Sequence, residues 1–136
     1  MYTALAVFVT ALVGGGFCGL VMHHLNSRRL GRVREDLGYQ LLLATGWVAL
    51  VAVLAHAPTE PVSAGAHWVG FLWPGGVLRR LGALTIAAAA TFRHRSFYQA
   101  GAGMPSADGW AGALTALVIG VPLDLAVEWL AGGRLG

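Results

Sequence analysis

The chain has 136 residues, 57% hydrophobic and 11% charged, with a mean hydropathy of +0.67. Soluble domains carry about 25% charged residues, so nine basic and six acidic side chains fall far short of a polar coat for a globule of this size. The arithmetic argues against a soluble enzyme, a secreted disulfide scaffold or a disordered linker, and it leaves a polytopic membrane protein.

All nine basic residues are Arg, a bias that a GC-rich prokaryotic genome would produce. Tyr2 to Met22 holds 21 uncharged residues, about the ~20 that a helix needs to cross a hydrocarbon core, and reads as the first span. Met1 to Val9 lacks a basic n-region, so no cleaved signal peptide is expected. Cys18, the single cysteine, lies inside this run and supports no disulfide framework. His23 to Leu37 carries Arg28, Arg29, Arg32 and Arg34 with Glu35 and Asp36. Such a cluster between apolar runs marks a cytoplasmic loop that meets lipid headgroups, rather than a nucleic-acid surface.

Tyr39 to His56 is the second charge-free span. Ala57 to Ala66, with Pro58, Glu60 and Pro61, reads as a loop on the opposite side. His67 to Phe92 fits two arrangements: one kinked crossing with Arg79 and Arg80 near its middle, or a re-entrant or interfacial segment over 67–76 followed by a span from near Val77. The second is preferred because Trp73-Pro74-Gly75-Gly76 breaks helices. Arg93 and Arg95 return the chain to the Arg-bearing side, and Trp110 to Ala131 is the last span. The expected fold is thus an all-α bundle of four transmembrane helices (2–22, 39–56, 77–92, 110–131) forming one domain. It would sit in a prokaryotic plasma membrane with both termini outside and the Arg loops in the cytoplasm.

Four charges disobey the general scarcity. Asp124 and Glu128 share one face of the last span at i, i+4, and Arg79 and Arg80 lie at a matching depth. An ionisable group in the bilayer costs at least ~2.5–3.5 kcal/mol, so the four are expected to meet. They would form either a structural clamp, in which an Arg neutralises the acids, or a proton or ion site. Pro122 weakens the same helix two residues earlier. Ala11, Gly15 and Gly19, and likewise Gly112, Ala116 and Gly120, form small-residue ladders that permit close helix packing. Two ladders in so small a bundle point to self-association or to docking on other membrane subunits.

His23, His24 and His94 fall on the inner side, and His56 and His67 on the outer. The pairs His24 with His94, or His56 with His67, would match in depth for a haem or a metal. No HxxxH or HExxH spacing supports one, so interfacial histidines and no cofactor are expected. His56, Glu60 and His67, near the Arg/acid group, are a candidate outer polar pocket. No nucleophile elbow, phosphate loop or dinucleotide fingerprint is present: Gly14-Gly15-Gly16 opens no βαβ unit. The Asn-bearing motifs of small fluoride channels are missing, and His23-His24 lies in a charged loop, unlike the haem helix of succinate dehydrogenase anchors, so no family follows from the residues. The expectation is a non-enzymatic membrane protein acting as an oligomer or as a subunit of a membrane complex. The alternatives are a small ion or proton transporter using Asp124 and Glu128, or a holin-like pore former.

Overall fold

The computed structural model describes residues 2–56, 74–96 and 109–131. Among them all regular structure is helical, in five elements: α1 (Ala4–Gly14), α2 (Gly16–Arg29), α3 (Val33–His56), α4 (Pro74–Arg93) and α5 (Gly109–Leu130). Glu60, His67 and the rest of 57–73 lie outside the described residues, as do 97–108 and 132–136.

The segment 2–22, read from sequence as one crossing, is instead two helices folded back on each other. Thr3 caps α1 by accepting a hydrogen bond from the Ala6 amide. The helix then stops at Gly15, whose φ of 95° and ψ of −174° lie in a region that only glycine adopts without strain. A continuous helix would hold Tyr2 and Asn26 about 36 Å apart at 1.5 Å per residue. In the structure the Tyr2 amide donates to Asn26 Oδ1 at 2.8 Å, and Arg29 donates to the Tyr2 hydroxyl at 3.1 Å while lying over its ring. Ala11 and Gly19 therefore face each other across an antiparallel hairpin, where a Cβ on Gly19 would lie 3.2 Å from the Ala11 Cβ. They do not line one face of one helix.

The turn from α2 into α3 is shorter than the loop expected over 23–37. Gly31 takes φ 68°, its amide bonds the Arg28 carbonyl and the Arg32 amide bonds the Ser27 carbonyl, a Schellman closure that satisfies the last turn of α2. Only residues 30–32 separate the two helices. At the start of α4, Pro74 occupies the first helical turn, where its missing N–H costs nothing. The Pro-Gly-Gly run therefore begins a helix instead of breaking one. Likewise α5 runs unbroken through Pro122.

Helix α5 lies along α2 with its small residues inward. Gly112, Ala116, Gly120 and Asp124 are its buried residues. A Cβ on Gly112 would strike the Tyr2 ring, and one on Gly120 would lie 2.6 Å from the Cys18 amide nitrogen, so only hydrogens permit this approach. Both small-residue ladders thus find their partners within the chain, which removes the argument they gave for association with another copy. Tyr2 sits level with Gly112 and the hairpin tip level with Asp124, about 18 Å further along α5. The N-terminal end of α1 therefore shares one end of the bundle with the Arg29–Val33 turn, while Leu130 lies at the other. The shared core joins Val7, Ala11, Leu20, Met22, Trp47, Val51, Ile86 and Ala116 from all five helices.

Replacing Gly15 by Ala would force a Cβ to within 2.5 Å of Asp124 Oδ2 at a positive φ. Gly15→Ala should destabilise the protein by about 1–3 kcal/mol. Gly38→Ala, in a helix and with no atom within 4 Å of the added Cβ, should be neutral or stabilising by up to about 1 kcal/mol. Thermal unfolding of both variants in detergent checks this pair.

Candidate functional site

Breaking a helix exposes the carbonyls of one segment and the amides of the next, and at the hairpin tip these groups meet charged side chains. Arg80 on α4 donates to the Leu12 carbonyl in the last turn of α1. Asp124 on α5 accepts from the Phe17 amide in the first turn of α2 at 3.2 Å, and from the indole N–H of Trp47 on α3. The cation thus faces the negative end of one helix and the carboxylate the positive end of the other. Trp47 is buried and wedged between Gly16 and Gly82, whose missing side chains provide the slot for its ring.

One turn beyond Asp124, Glu128 pairs with Arg79. Together these groups surround a cavity of about 320 Å³ between the hairpin tip and α3, α4 and α5. The side chains of Arg79 and Glu128 remain 31% and 23% exposed, whereas Asp124 is only 8% exposed. Among the described residues no cation stands within ion-pair distance of Asp124. The four charges singled out from sequence are thus gathered in one place, and their pairing matches the expected clamp only at Arg79 and Glu128. Arg79 serves Glu128, Arg80 serves a backbone carbonyl, and Asp124 is held by two neutral donors.

A second polar cluster lies near the opposite end of α2, next to the Arg-bearing turn. Asp36, fully buried in the first turn of α3, accepts from Ser27 Oγ at 2.8 Å and from Arg93 Nε at 3.1 Å. His94 Nε2 lies 2.9 Å from its other contact point on Oδ2. The His23 ring packs against that of His94, with centroids 4.6 Å apart, and meets Tyr39 edge-on. Sequence reasoning misses this group, because Asp36 reads as one of the loop charges and depth alone matches His94 with His24 instead of His23. His24 is exposed and contacts Gln40. The rings of His23 and His94 are in contact, which leaves no room for a porphyrin between them. A usable signal existed: Gly16, Gly19, His23 and Asn26 recur at spacings of three and four, the inward stripe of α2.

The remaining candidates are more dispersed. His56 bonds the Ala52 carbonyl at the end of α3, and its proposed partners Glu60 and His67 fall outside the described residues. Arg28, Arg29 and Arg34 are exposed around the α2–α3 turn, and Arg32 pairs with Glu35. Comparison with family models, curated proteins and solved structures finds no match to this chain.

Asp124→Leu should leave the Phe17 amide and the Trp47 indole without acceptors, at a cost of about 1–3 kcal/mol for each buried group. Asp124→Asn keeps a carbonyl oxygen and should unfold closer to the wild type. In a double-mutant cycle with Trp47→Phe, the coupling to Asp124→Leu should be about 0.5–3 kcal/mol, read from thermal unfolding in detergent.

Proposed function

We propose that the chain is an integral membrane protein that conducts a proton or a small cation through the cavity at the hairpin tip. In this reading α3, α4 and α5 cross the bilayer and α1–α2 enters it as a re-entrant hairpin in place of a fourth crossing. Two helices, Val33–His56 and Gly109–Leu130, are long and apolar enough to cross, and only 11% and 22% of their apolar windows are buried within the chain. The exposed apolar side chains, among them Leu41, Leu42, Val53, Leu114 and Val118, then face lipid. Arg28, Arg29, Arg32, Arg34, Arg93 and Arg95 gather at the hairpin base, which the distribution of Arg assigns to the cytoplasm. The cavity would then open to the outer face.

The observation that carries this reading is the buried Asp124 carboxylate beside a cavity, with no cation paired to it among the described residues. Intramembrane carboxylates of this kind mark ion and proton paths, and irregular backbone at membrane depth is tolerated where it lines a cavity. A proton or cation arriving through the cavity would neutralise Asp124 and loosen its hold on the Phe17 amide and Trp47. The Arg79–Glu128 pair stands at the entrance. Action as a subunit of a larger complex rested on the two small-residue ladders, which are occupied within the chain.

The test is reconstitution into liposomes carrying a potassium gradient, with valinomycin and a pH-sensitive dye inside, and parallel measurements with Na⁺ and K⁺ as the permeant ion. Wild-type protein should dissipate at least one of these gradients. Asp124→Asn should reduce the rate to that of protein-free liposomes while its unfolding temperature in detergent stays close to the wild type. Wild-type liposomes no leakier than protein-free ones to all three ions would end this reading.

A further inference from the structure

We propose that His23, Asp36 and His94 form a binding site for one first-row divalent transition ion, represented by Zn²⁺. This site lies near the opposite end of α2 from the hairpin tip and does not rest on the conduction reading. The three residues come from three helices that the fold brings together: His23 from the middle of α2, Asp36 from the first turn of α3 and His94 from just past the C-terminal end of α4. Each offers one ligand atom, and these atoms all lie within 4.8 Å of one another. Ligands around a tetrahedral Zn²⁺ at its usual bond lengths lie about 3.3 Å apart, so no two of these atoms need to close by more than about 1.5 Å.

A purely structural cluster accounts for part of the arrangement. The contact of His94 with Asp36, reinforced by Ser27 and Arg93, would by itself explain why two of the residues are buried. It does not explain His23, which is 1% exposed and has neither ring nitrogen hydrogen-bonded. Buried polar groups are nearly always partnered, and a ring nitrogen turned toward a carboxylate and a second imidazole has the surroundings of a metal ligand.

The donor set selects the class of ion. Two imidazole nitrogens and one carboxylate oxygen suit Zn²⁺ and its neighbours in the first transition row, whereas Mg²⁺ and Ca²⁺ need about six or more oxygens. On binding, the ion takes the place of the hydrogen now shared between His94 Nε2 and Asp36 Oδ2. His94 then ligates through that nitrogen, with the ring proton moving to Nδ1 or leaving to solvent. Ser27 and Arg93 hold the carboxylate from behind, the supporting arrangement common to metal-bound carboxylates. Three protein ligands leave a fourth position for water.

The experiment uses the full, untagged chain in detergent, stripped with a chelator and titrated with Zn²⁺ by calorimetry and with Co²⁺ by visible absorption. Wild type should bind one equivalent of Zn²⁺ per chain, and Co²⁺ should give the intense bands of a tetrahedral site. His23→Gln should weaken binding by more than about 100-fold and Ser27→Ala by about 10-fold. His24→Gln, on the exposed face of the same helix, should change nothing. Because the His23 ring makes no hydrogen bond, His23→Gln should fold; if it does not, Ser27→Ala carries the test alone. Binding of less than one equivalent by wild type, or equal loss in the His24→Gln and His23→Gln variants, would overturn the site. So would Zn²⁺ affinity unchanged by His23→Gln, or by Ser27→Ala where that variant stands alone.

Discussion

The fold depends on satisfying a broken helix in apolar surroundings. At Gly15 the chain reverses direction, and the reversal leaves carbonyls of α1 and amides of α2 deep among the other helices. Where water is scarce, each such group costs several kcal/mol if left unpaired. Arg80 on the Leu12 carbonyl and Asp124 on the Phe17 amide remove that cost, and each charge is placed on the helix end of opposite polarity. The requirement explains why a chain so poor in charge keeps Arg80 and Asp124 inside otherwise apolar helices. It also explains the glycines at 16, 82 and 120, because the tip reaches its caps only if Trp47 can slide between α2 and α4 and if α5 can press its backbone onto Cys18.

From this constraint follows an arrangement of two polar centres along α2. Its first turn meets Asp124 and the cavity, and its second half meets Asp36, His23 and His94. The two differ in character. At the tip, the charges serve backbone groups and each other, and among the described residues Asp124 faces the cavity without a paired cation. At the base, the carboxylate is saturated by donors while an imidazole has none. The first suits an exchangeable proton or ion, and the second a fixed one. Between them α2 is packed with Cys18, Leu20 and Met22, so the two centres are separated by apolar side chains.

Much of this was legible in the sequence, and what was missed has physical causes. The scarcity of charge located Asp124, Glu128, Arg79 and Arg80, because spacing and depth follow from helical periodicity alone. Hydropathy counts length without direction, so 21 uncharged residues look the same whether they cross once or turn back at half depth. The signal for the turn was Gly14-Gly15-Gly16, with polar Thr3 and Asn26 flanking the two legs. Of the charge pairing, Arg79 with Glu128 was legible; the partners of Arg80 and Asp124 were not, because a rule of opposite charges ignores the backbone, which at a helix break competes for the same side chains. For the histidines, the end of the bundle was legible. The choice of His23 over His24 depended on the helical phase of α2, which the hairpin sets. Asp36 was hidden because the α2–α3 turn is three residues long, whereas composition alone makes 23–37 look like one loop.

The central claim is that α1 and α2 form a hairpin that leaves the N-terminal end beside the Arg-rich turn. Single cysteines at the exposed positions Thr3, Arg34 and Leu130, in a Cys18→Ser background, can be labelled with a membrane-impermeant maleimide in sealed vesicles of known orientation. Thr3→Cys and Arg34→Cys should label from the same side and Leu130→Cys from the other. Labelling of Thr3→Cys from the Leu130 side would show that residues 2–22 cross as one span and would contradict the hairpin.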